Sequence, residues 1–266
     1  MLYPFTLGGG VIEHDAAEGR ARLTVPATPP RRYTDAQLDD YRGLMRGGLL
    51  RRIPFSAGPP LRLSLRARAS HAAPLGTLGF GFWNEPFSVT GGVLGSPKVN
   101  WFFYASPPSD MALAPGVPGW GWKAATLDAG RWPGLVLAPA ALGAILLTKV
   151  PGMGRPVLSL ARRFVTAHEA LLDDVALDEW HEYVLDWQPR EARFLVDGVE
   201  RLVSPAPPPG PLGLVIWIDN QYAKASLAGQ FGFGLLPLPE AQVLEIRDLR
   251  LECKLNPPGP ANGIRA

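Results

Sequence analysis

The chain alternates apolar and polar residues over short stretches that are separated by glycine- and proline-rich turns. A period of two is typical of β-strands with one buried face. In "LRLSLRARAS", for example, Leu61, Leu63, Leu65 and Ala67 fall on the predicted buried face. The absence of a βαβ rhythm favours an antiparallel all-β sandwich. We predict strands in "GRARLTVPA" (19–27), "LRLSLRARAS" (61–70), "GTLGFGFWNEPF" (76–87), "KVNWFFYASPP" (98–108), "GLVIWIDNQYA" (213–223) and "QVLEIRDLRLE" (242–252).

Two other stretches extend this prediction, and one leaves the choice open. "EWHEYVLDWQPREARFLVDGVERLVS" (179–204) contains turn signals at QPRE and DG and predicts a three-strand antiparallel meander. The stretch 109–133 is rich in Gly and Pro and predicts a loop. "YTDAQLDDYRG" (33–43) fits either a short helix or a strand. In a strand, Tyr33, Asp35, Gln37 and Asp39 would share one face, and such a polar row is costly to bury without purpose.

The stretch 134–164 breaks the alternation. It is rich in Ala and Leu, it has helical propensity, and Pro139, Pro151 and Pro156 divide it into pieces. Its longest apolar run is well below the ~20 residues of a membrane span. We expect a helical insertion within a single domain that covers 1–266. It would be a helix pair packed on the sandwich, a lid over an apolar site, or a peripheral membrane contact with two arginines at its rim.

Composition sets limits on the classes of function. The 266 residues are 47% hydrophobic and 19% charged, which suits a large core. The net charge of +2 is too balanced to indicate nucleic acid binding, and the arginines of 61–70 alternate as on the solvent side of a strand. The single Cys253 excludes an intramolecular disulfide framework, and the four histidines lack metal-ligand spacing. We therefore expect no metal and no cofactor.

The N-terminal sequence and the apolar runs bear on location. "MLYPFTLGGGVIEHD" lacks the basic start and the long apolar run of a signal peptide. We expect a cytoplasmic protein, unless a leader has been removed, and no transmembrane segment.

The 180–198 hairpin resembles a segment of the concanavalin A-like glucanases of glycoside hydrolase family 16. The matching residues are Trp180, His181, Tyr183, Trp187, Pro189, Phe194, Val196, Asp197 and Gly198. The resemblance implies a jelly-roll β-sandwich of two curved antiparallel sheets with ligands on the concave face. It also implies acids in E-x-D-x-E or E-x-D-x-x-E spacing on one concave strand, and the strand nearest to that position, "GFGFWNEPF", offers only Glu85 among acids. A standard retaining glucanase is therefore not expected.

Candidate chemistry lies at the polar end of the strand 214–223. Alternation places Trp217 and Asp219 on one face, where an aromatic neighbour would raise the pKa of a carboxyl group and suit it to act as a general acid. Asp219 is our predicted catalytic acid and Glu85 its partner. Asn84, Asn220 and Gln221 are predicted to orient a hydroxyl or carbonyl group of a substrate. The alternative interpretation is that Asp219 and Asn220 merely begin a turn.

Three aromatic residues are predicted to shape the pocket. Tyr104 shares a face of its strand with Asn100 and Phe102, while Trp101 and Phe103 on the other face are expected in the core. Trp120 and Trp122 lie in the predicted loop as stacking platforms for sugars or apolar rings, or they pack over the sandwich rim.

Three functional hypotheses follow from these features. The first is a carbohydrate-active or carbohydrate-binding protein with an oligosaccharide or small-molecule ligand in a concave-face cleft. The second is an enzyme of cyclase, isomerase or hydratase type that acts on an apolar small molecule beneath the 134–164 insertion. The third is a non-catalytic interaction module. No nucleic acid partner is expected in any of them.

Overall fold

A computed structural model describes residues 1–41, 55–84, 97–112, 114, 116–129, 165–225 and 231–253. Within these ranges the chain forms strands and turns. They contain no helix, and hence no helix long and apolar enough to cross a membrane. The predicted helical insertion at 134–164 lies outside the described residues.

The described strands follow one another as the alternating pattern predicts. In chain order they are β1 (Tyr3–Leu7), β2 (Val11–Asp15), β3 (Arg20–Val25), β4 (Asp35–Asp39), β5 (Leu61–Ala69), β6 (Thr77–Trp83), β7 (Lys98–Ala105), β8 (Gly121–Asp128), β9 (Thr166–Leu171), β10 (His181–Trp187), β11 (Ala192–Val196), β12 (Val199–Ser204), β13 (Gly213–Asp219), β14 (Gln221–Ala225), β15 (Phe231–Leu235) and β16 (Gln242–Cys253).

These strands form two large sheets and one small hairpin. The first sheet has the order β1-β4-β13-β6-β7-β8-β9 and the second has the order β12-β11-β10-β5-β16-β3-β2. Every pairing within the two large sheets is antiparallel, and β14 pairs with β15 in a separate hairpin. The predicted all-β sandwich is confirmed.

The core lies between the two large sheets, and Phe102 joins them. Its ring centroid lies 5.5 Å from that of Phe80 on β6 and 6.1 Å from that of Trp122 on β8, both in the first sheet. It lies 5.1 Å from the ring of Tyr183 and 5.2 Å from that of Phe194, both in the second sheet. Edge-to-face ring contacts at these distances add to the stabilisation from burial.

The β10–β11–β12 meander agrees with its prediction. Tyr183 on β10 pairs with Val196 on β11, and the DG turn follows, with a positive φ at both Asp197 (50°) and Gly198 (76°). The Asp197 carboxylate accepts the backbone N–H of Glu182 at 2.8 Å, which links the turn to the start of β10. Trp187 is fully buried and donates its Nε1–H to the carbonyl of Pro208 at 3.1 Å. These contacts show a structural role for the hairpin.

One predicted loop contains a strand. Residues Gly121–Asp128 form β8, which pairs with β7 on one side and β9 on the other. Trp122, Lys123, Ala124, Ala125 and Thr126 are all buried in β8, so apolar and polar residues do not alternate along it. A strand covered on both faces loses the period of two by which strands are recognised in a sequence.

Phe102 provides a test of the sheet-to-sheet packing. We expect Phe102→Ala to lower the free energy of unfolding by about 3–5 kcal/mol, because it removes a fully buried ring and leaves a cavity. The control is Val199→Ala, at a side chain that is 53% exposed, which should change stability by about 0.5 kcal/mol or less. Urea unfolding of both variants gives the comparison, and equal losses would contradict the described packing.

Candidate functional site

The first sheet has an outward face that points away from the second sheet. Its residues follow from the register, because directly paired residues in antiparallel strands put their side chains on the same face. Asp219 on β13 pairs with Asp35 on β4 and with Thr77 on β6. Trp217, two residues earlier, pairs with Gln37 and with Gly79. The intervening residues of these strands belong to the core.

A polar row runs along β4 on this outward face. It consists of Asp35, Gln37 and Asp39, which are 3%, 5% and 0% exposed. Gln37 Nε2 donates to Asp39 Oδ2 at 2.9 Å, and Asp39 Oδ1 accepts the backbone N–H of Tyr41 at 3.1 Å. The sequence fits either a helix or a strand at 33–43, and the structure shows a strand at Asp35–Asp39. Its polar side is buried, which is the costly case.

Asp219 lies at the centre of a hydrogen-bond chain. Trp217 Nε1 donates to Thr77 Oγ1 at 2.9 Å, and Thr77 Oγ1 donates to Asp219 Oδ1 at 2.8 Å. The backbone N–H of Gln221 donates to the same carboxylate oxygen at 3.0 Å. Burial raises the pKa of Asp219 to about 6, against the opposing effect of these hydrogen bonds. Asp219 therefore holds a proton at a higher pH than an exposed aspartate does.

Tyr33 connects Asp219 to the polar row of β4. Its hydroxyl group lies beside the side chains of Asp35, Asp219 and Gln221. Burial raises the pKa of Tyr33, and the negative charges of Asp219 and Asp35 raise it further. The phenol thus stays protonated between two carboxyl groups. Tyr33 is only partly buried, so it lies at the boundary between the buried network and solvent.

Four aromatic rings cover the middle of the outward face. They belong to Trp83, Trp101, Phe103 and Trp217, and neighbouring rings have centroids 5.2–6.5 Å apart. Trp83 and Trp217 are nearly parallel, at 7°. Trp217 is buried, whereas the other three are partly exposed. We call these four residues the aromatic platform.

Two glycines of β6 make room for the platform. A Cβ atom on Gly79 would lie 2.8 Å from the Trp217 ring and 2.4 Å from the carbonyl oxygen of Phe102. Gly81 has a φ of 147°, and a Cβ atom there would lie 2.5 Å from the Cα of Trp101. No larger residue fits either position without moving the neighbouring backbone.

The far end of the outward face holds a buried ion pair. Lys123 Nζ on β8 lies 3.2 Å from Glu169 Oε2 on β9, and both side chains are almost fully buried. Glu169 Oε1 also accepts the backbone N–H of Ala114 at 2.7 Å. Burial lowers the pKa of Lys123, and the neighbouring Glu169 opposes that shift. The pair is hydrogen-bonded as buried charges require.

Two of the predicted site residues lie together, and one is not described. Asp219 and Gln221 lie in the network around Tyr33, whereas Asn220 holds the adjacent chain. Its Oδ1 accepts the N–H of Thr34, and its Nδ2 donates to the carbonyls of Arg32 and Leu236. Glu85, the proposed partner of Asp219, lies outside the described residues. Asn84, at the end of β6, accepts the N–H of Lys98 at 2.9 Å through Oδ1.

The predicted aromatic residues lie elsewhere. Tyr104 and Trp122 belong to the hydrophobic core, while Trp120 is 49% exposed in the turn before β8. The faces of β7 are the reverse of those expected, because Phe102 packs in the core while Trp101 and Phe103 point outward. Both faces of β7 carry rings, so its sequence alone does not distinguish inside from outside.

Sequence reasoning did not identify Thr77, Trp83 or Trp101 as site residues. A signal for them exists in β6, where Thr77, Gly79, Gly81 and Trp83 alternate with core residues. Two glycines in such a row make room for large side chains of neighbouring strands. In the part of the chain that is described, no three His, Cys, Asp or Glu side chains are placed to hold a metal ion.

Comparisons with known proteins give distant likenesses in fold. No family model and no curated protein matches the chain. A β-1,3-glucanase from Mycobacterium marinum matches with a TM-score of 0.43 and 11% identity, over 88% of this chain and 74% of that one. The Bacillus licheniformis β-glucanase gives a TM-score of 0.41 and 12% identity, over 92% of this chain and 89% of that one.

A sialidase matches 95% of this chain with a TM-score of 0.42 and 10% identity, although the chain spans only 17% of the sialidase. At these identities and TM-scores, inferences about function have to come from the residues of this chain.

Asp219 predicts a measurable pH dependence of stability. The native state keeps the Asp219 proton up to about pH 6, while the unfolded chain loses it near the ordinary pKa of 3.8. The free energy of unfolding should therefore fall by about 3 kcal/mol from this group as the pH rises from about 4 to about 7. In Asp219→Asn that part of the fall should disappear. Urea unfolding at several pH values measures it.

The matched control is Asp173→Asn, at an exposed aspartate, which should keep the pH dependence of the wild type. If the stability of Asp219→Asn falls with pH as steeply as that of the wild type, the native state does not raise the pKa of Asp219.

Proposed function

We propose that this protein binds carbohydrate on the outward face of its first sheet. The accessible rings of Trp83, Trp101 and Phe103 would stack on the apolar faces of sugar rings. The polar groups of Tyr33 and Gln221, at the Asp219 end of the same face, would hydrogen-bond sugar hydroxyls. Ligand sites of this kind combine aromatic surface with a few fixed polar groups.

One observation carries this proposal. Trp217, part of the aromatic platform, is hydrogen-bonded through Thr77 to Asp219, and Tyr33 lies beside both Asp219 and Asp35 of the polar row. Rings and titratable groups thus lie next to one another on neighbouring strands, with the acids buried and three of the rings partly exposed. A core-packing role would explain the rings but not a row of acids and amides beside them. The glucanase-like sequence of 180–198 supports carbohydrate as the ligand class.

Binding of neutral polysaccharides to the wild type and to two tryptophan variants tests this proposal. We expect the wild type to bind at least one of laminarin, barley β-glucan or xyloglucan, with a change in tryptophan fluorescence. Trp101→Ala should weaken that binding by about tenfold or more, because stacking on the partly exposed ring is lost. Isothermal titration calorimetry measures both affinities.

The control for this test is Trp180→Ala, because Trp180 lies beside β5 and β16 of the second sheet. It should leave the affinity for a neutral glucan unchanged. Equal losses in the two variants, or no binding of any of these glucans to the wild type, would exclude this face as a glucan site.

A catalytic version of this function is favoured by the acid network. Asp35 and Asp219 pair directly across two strands, and burial raises the pKa of Asp219 to about 6. An aspartic acid that stays protonated up to about pH 6 is suited to donate a proton to a substrate. We infer that Asp219 is the proton donor, with Asp35 as a partner that the structure adds to the predicted Glu85.

This arrangement departs from a standard retaining glucanase. The outward positions of β6 are Thr77, Gly79, Gly81 and Trp83, so this strand lacks an acidic row within its described residues. The carboxyl groups lie instead on β4 and β13. The same proton donor would serve an enzyme that acts on an apolar small molecule beneath 134–164, a stretch outside the described residues.

Activity of Asp219→Asn tests the catalytic version. For a glycan that the wild type binds, we expect release of reducing ends to fall by about a hundredfold or more in the variant, with binding retained. Wild-type activity should also decline above about pH 6, as Asp219 loses its proton. Unchanged turnover in Asp219→Asn would remove Asp219 from the chemistry and leave a binding protein.

A further inference from the structure

The outer face of the second sheet carries a cluster of arginines around one tryptophan. The guanidinium carbons of Arg247, Arg68 and Arg66 lie 4.3, 5.0 and 5.8 Å from the centroid of the Trp180 ring. Trp180 precedes β10, while the arginines lie on β5 and β16. Cation–π contact of this kind fixes the orientation of the ring and of the guanidinium groups.

The arginines exceed the acids that neutralise them. Glu245 accepts Arg22 Nη1 and Arg68 Nε, each at 2.6 Å, so one carboxylate serves two guanidinium groups. Among the described residues, Arg66 and Arg247 form no ion pair with a carboxylate. Arg66, which lies opposite Glu182 of β10, and Arg247 therefore keep exposed guanidinium groups beside Trp180.

Arg66 and Arg247 also pair directly with each other. They are opposite residues on β5 and β16, and both are exposed. Like charges opposite each other on neighbouring strands are unfavourable. An anion between or beside the two guanidinium groups would relieve this repulsion.

A cavity of about 390 Å³ opens beside this cluster. Its lining includes Trp180, Arg247, Arg22, Glu13 and Asp15. The volume suits a small molecule. Guanidinium groups bind carboxylate, phosphate and sulfate through paired N–H donors, and the flanking carboxylates accept hydrogen bonds from hydroxyl groups.

We propose that this cavity binds an acidic sugar, with its anionic group on Arg247 and its hydroxyl groups on Glu13 and Asp15. Trp180 would form one wall against the ring. The acids of the cavity disfavour a polyanion such as nucleic acid, which would meet Glu13 and Asp15 repeatedly. The site is separate from the outward face of the first sheet and does not depend on the function proposed there.

Isothermal titration calorimetry of the full chain tests this site with four probes. They are glucuronate, glucose 6-phosphate, glucose and inorganic phosphate. We expect both acidic sugars to bind, glucose to bind at least about tenfold more weakly, and inorganic phosphate to bind more weakly than glucose 6-phosphate. Failure of both acidic sugars to bind would overturn the proposal. Equal affinity for inorganic phosphate and glucose 6-phosphate would also overturn it, since the sugar would then contribute nothing.

Matched variants locate the site. Arg247→Gln should weaken binding of the acidic sugar by about tenfold or more, and Arg66→Gln should weaken it less. Arg193→Gln is the control, because Arg193 is an exposed arginine of β11 that pairs with Glu191 and Glu200. Trp101→Ala should keep the affinity for the acidic sugar. Equal losses in Arg193→Gln and Arg247→Gln, or a loss in Trp101→Ala, would place the ligand elsewhere.

Discussion

Strands β4 and β13 of the first sheet are buried on both of their faces, and this constraint determines much of the molecule. Every residue of β4 and β13 is buried. One face of each strand packs against the second sheet, as in any sandwich. On the other face the buried residues include three carboxyl groups, a glutamine, a threonine and a tryptophan, and these polar groups must find hydrogen-bond partners within the protein.

The hydrogen bonds of the outward network meet this requirement, and burial in the network raises the proton affinity of Asp219. Asp219 accepts hydrogen bonds from Thr77 and from the backbone of Gln221, yet burial still raises its pKa to about 6. A threonine joins Trp217 to Asp219 through hydrogen bonds, and a tyrosine lies beside both Asp219 and Asp35. A site that must recognise hydroxyl groups or move a proton needs such fixed donors and acceptors next to apolar surface, and the aromatic platform supplies that surface.

The sequence predicts the sandwich better than it predicts the site. Strands such as β5 expose one face to solvent, so Leu61, Leu63 and Leu65 alternate visibly with arginine and serine. β8 is covered on both faces, so its apolar and polar residues do not alternate and its sequence resembles that of a loop. The sequence of β4 fits either a helix or a strand, because polar residues usually indicate an exposed face and those of β4 are buried.

The site itself combines residues from strands that are distant in sequence. Asp219 and Gln221 could be selected from the polar end of one strand, but Thr77 and Asp35 join them only through the register of β6 and β4 with β13. Trp101 was expected in the core because each face of β7 carries aromatic residues. A local pattern gives the face of a residue but not the strand that will lie beside it.

The most direct measurement is a crystal structure of the full chain with a bound neutral glucan oligosaccharide. The account predicts a sugar ring stacked on Trp101 or Trp83, with its hydroxyl groups directed toward Tyr33 and Gln221. A sugar bound elsewhere, with other parts of the chain packed tightly over Trp101 and Trp83, would contradict it. The buried acids would then be a structural network without a ligand.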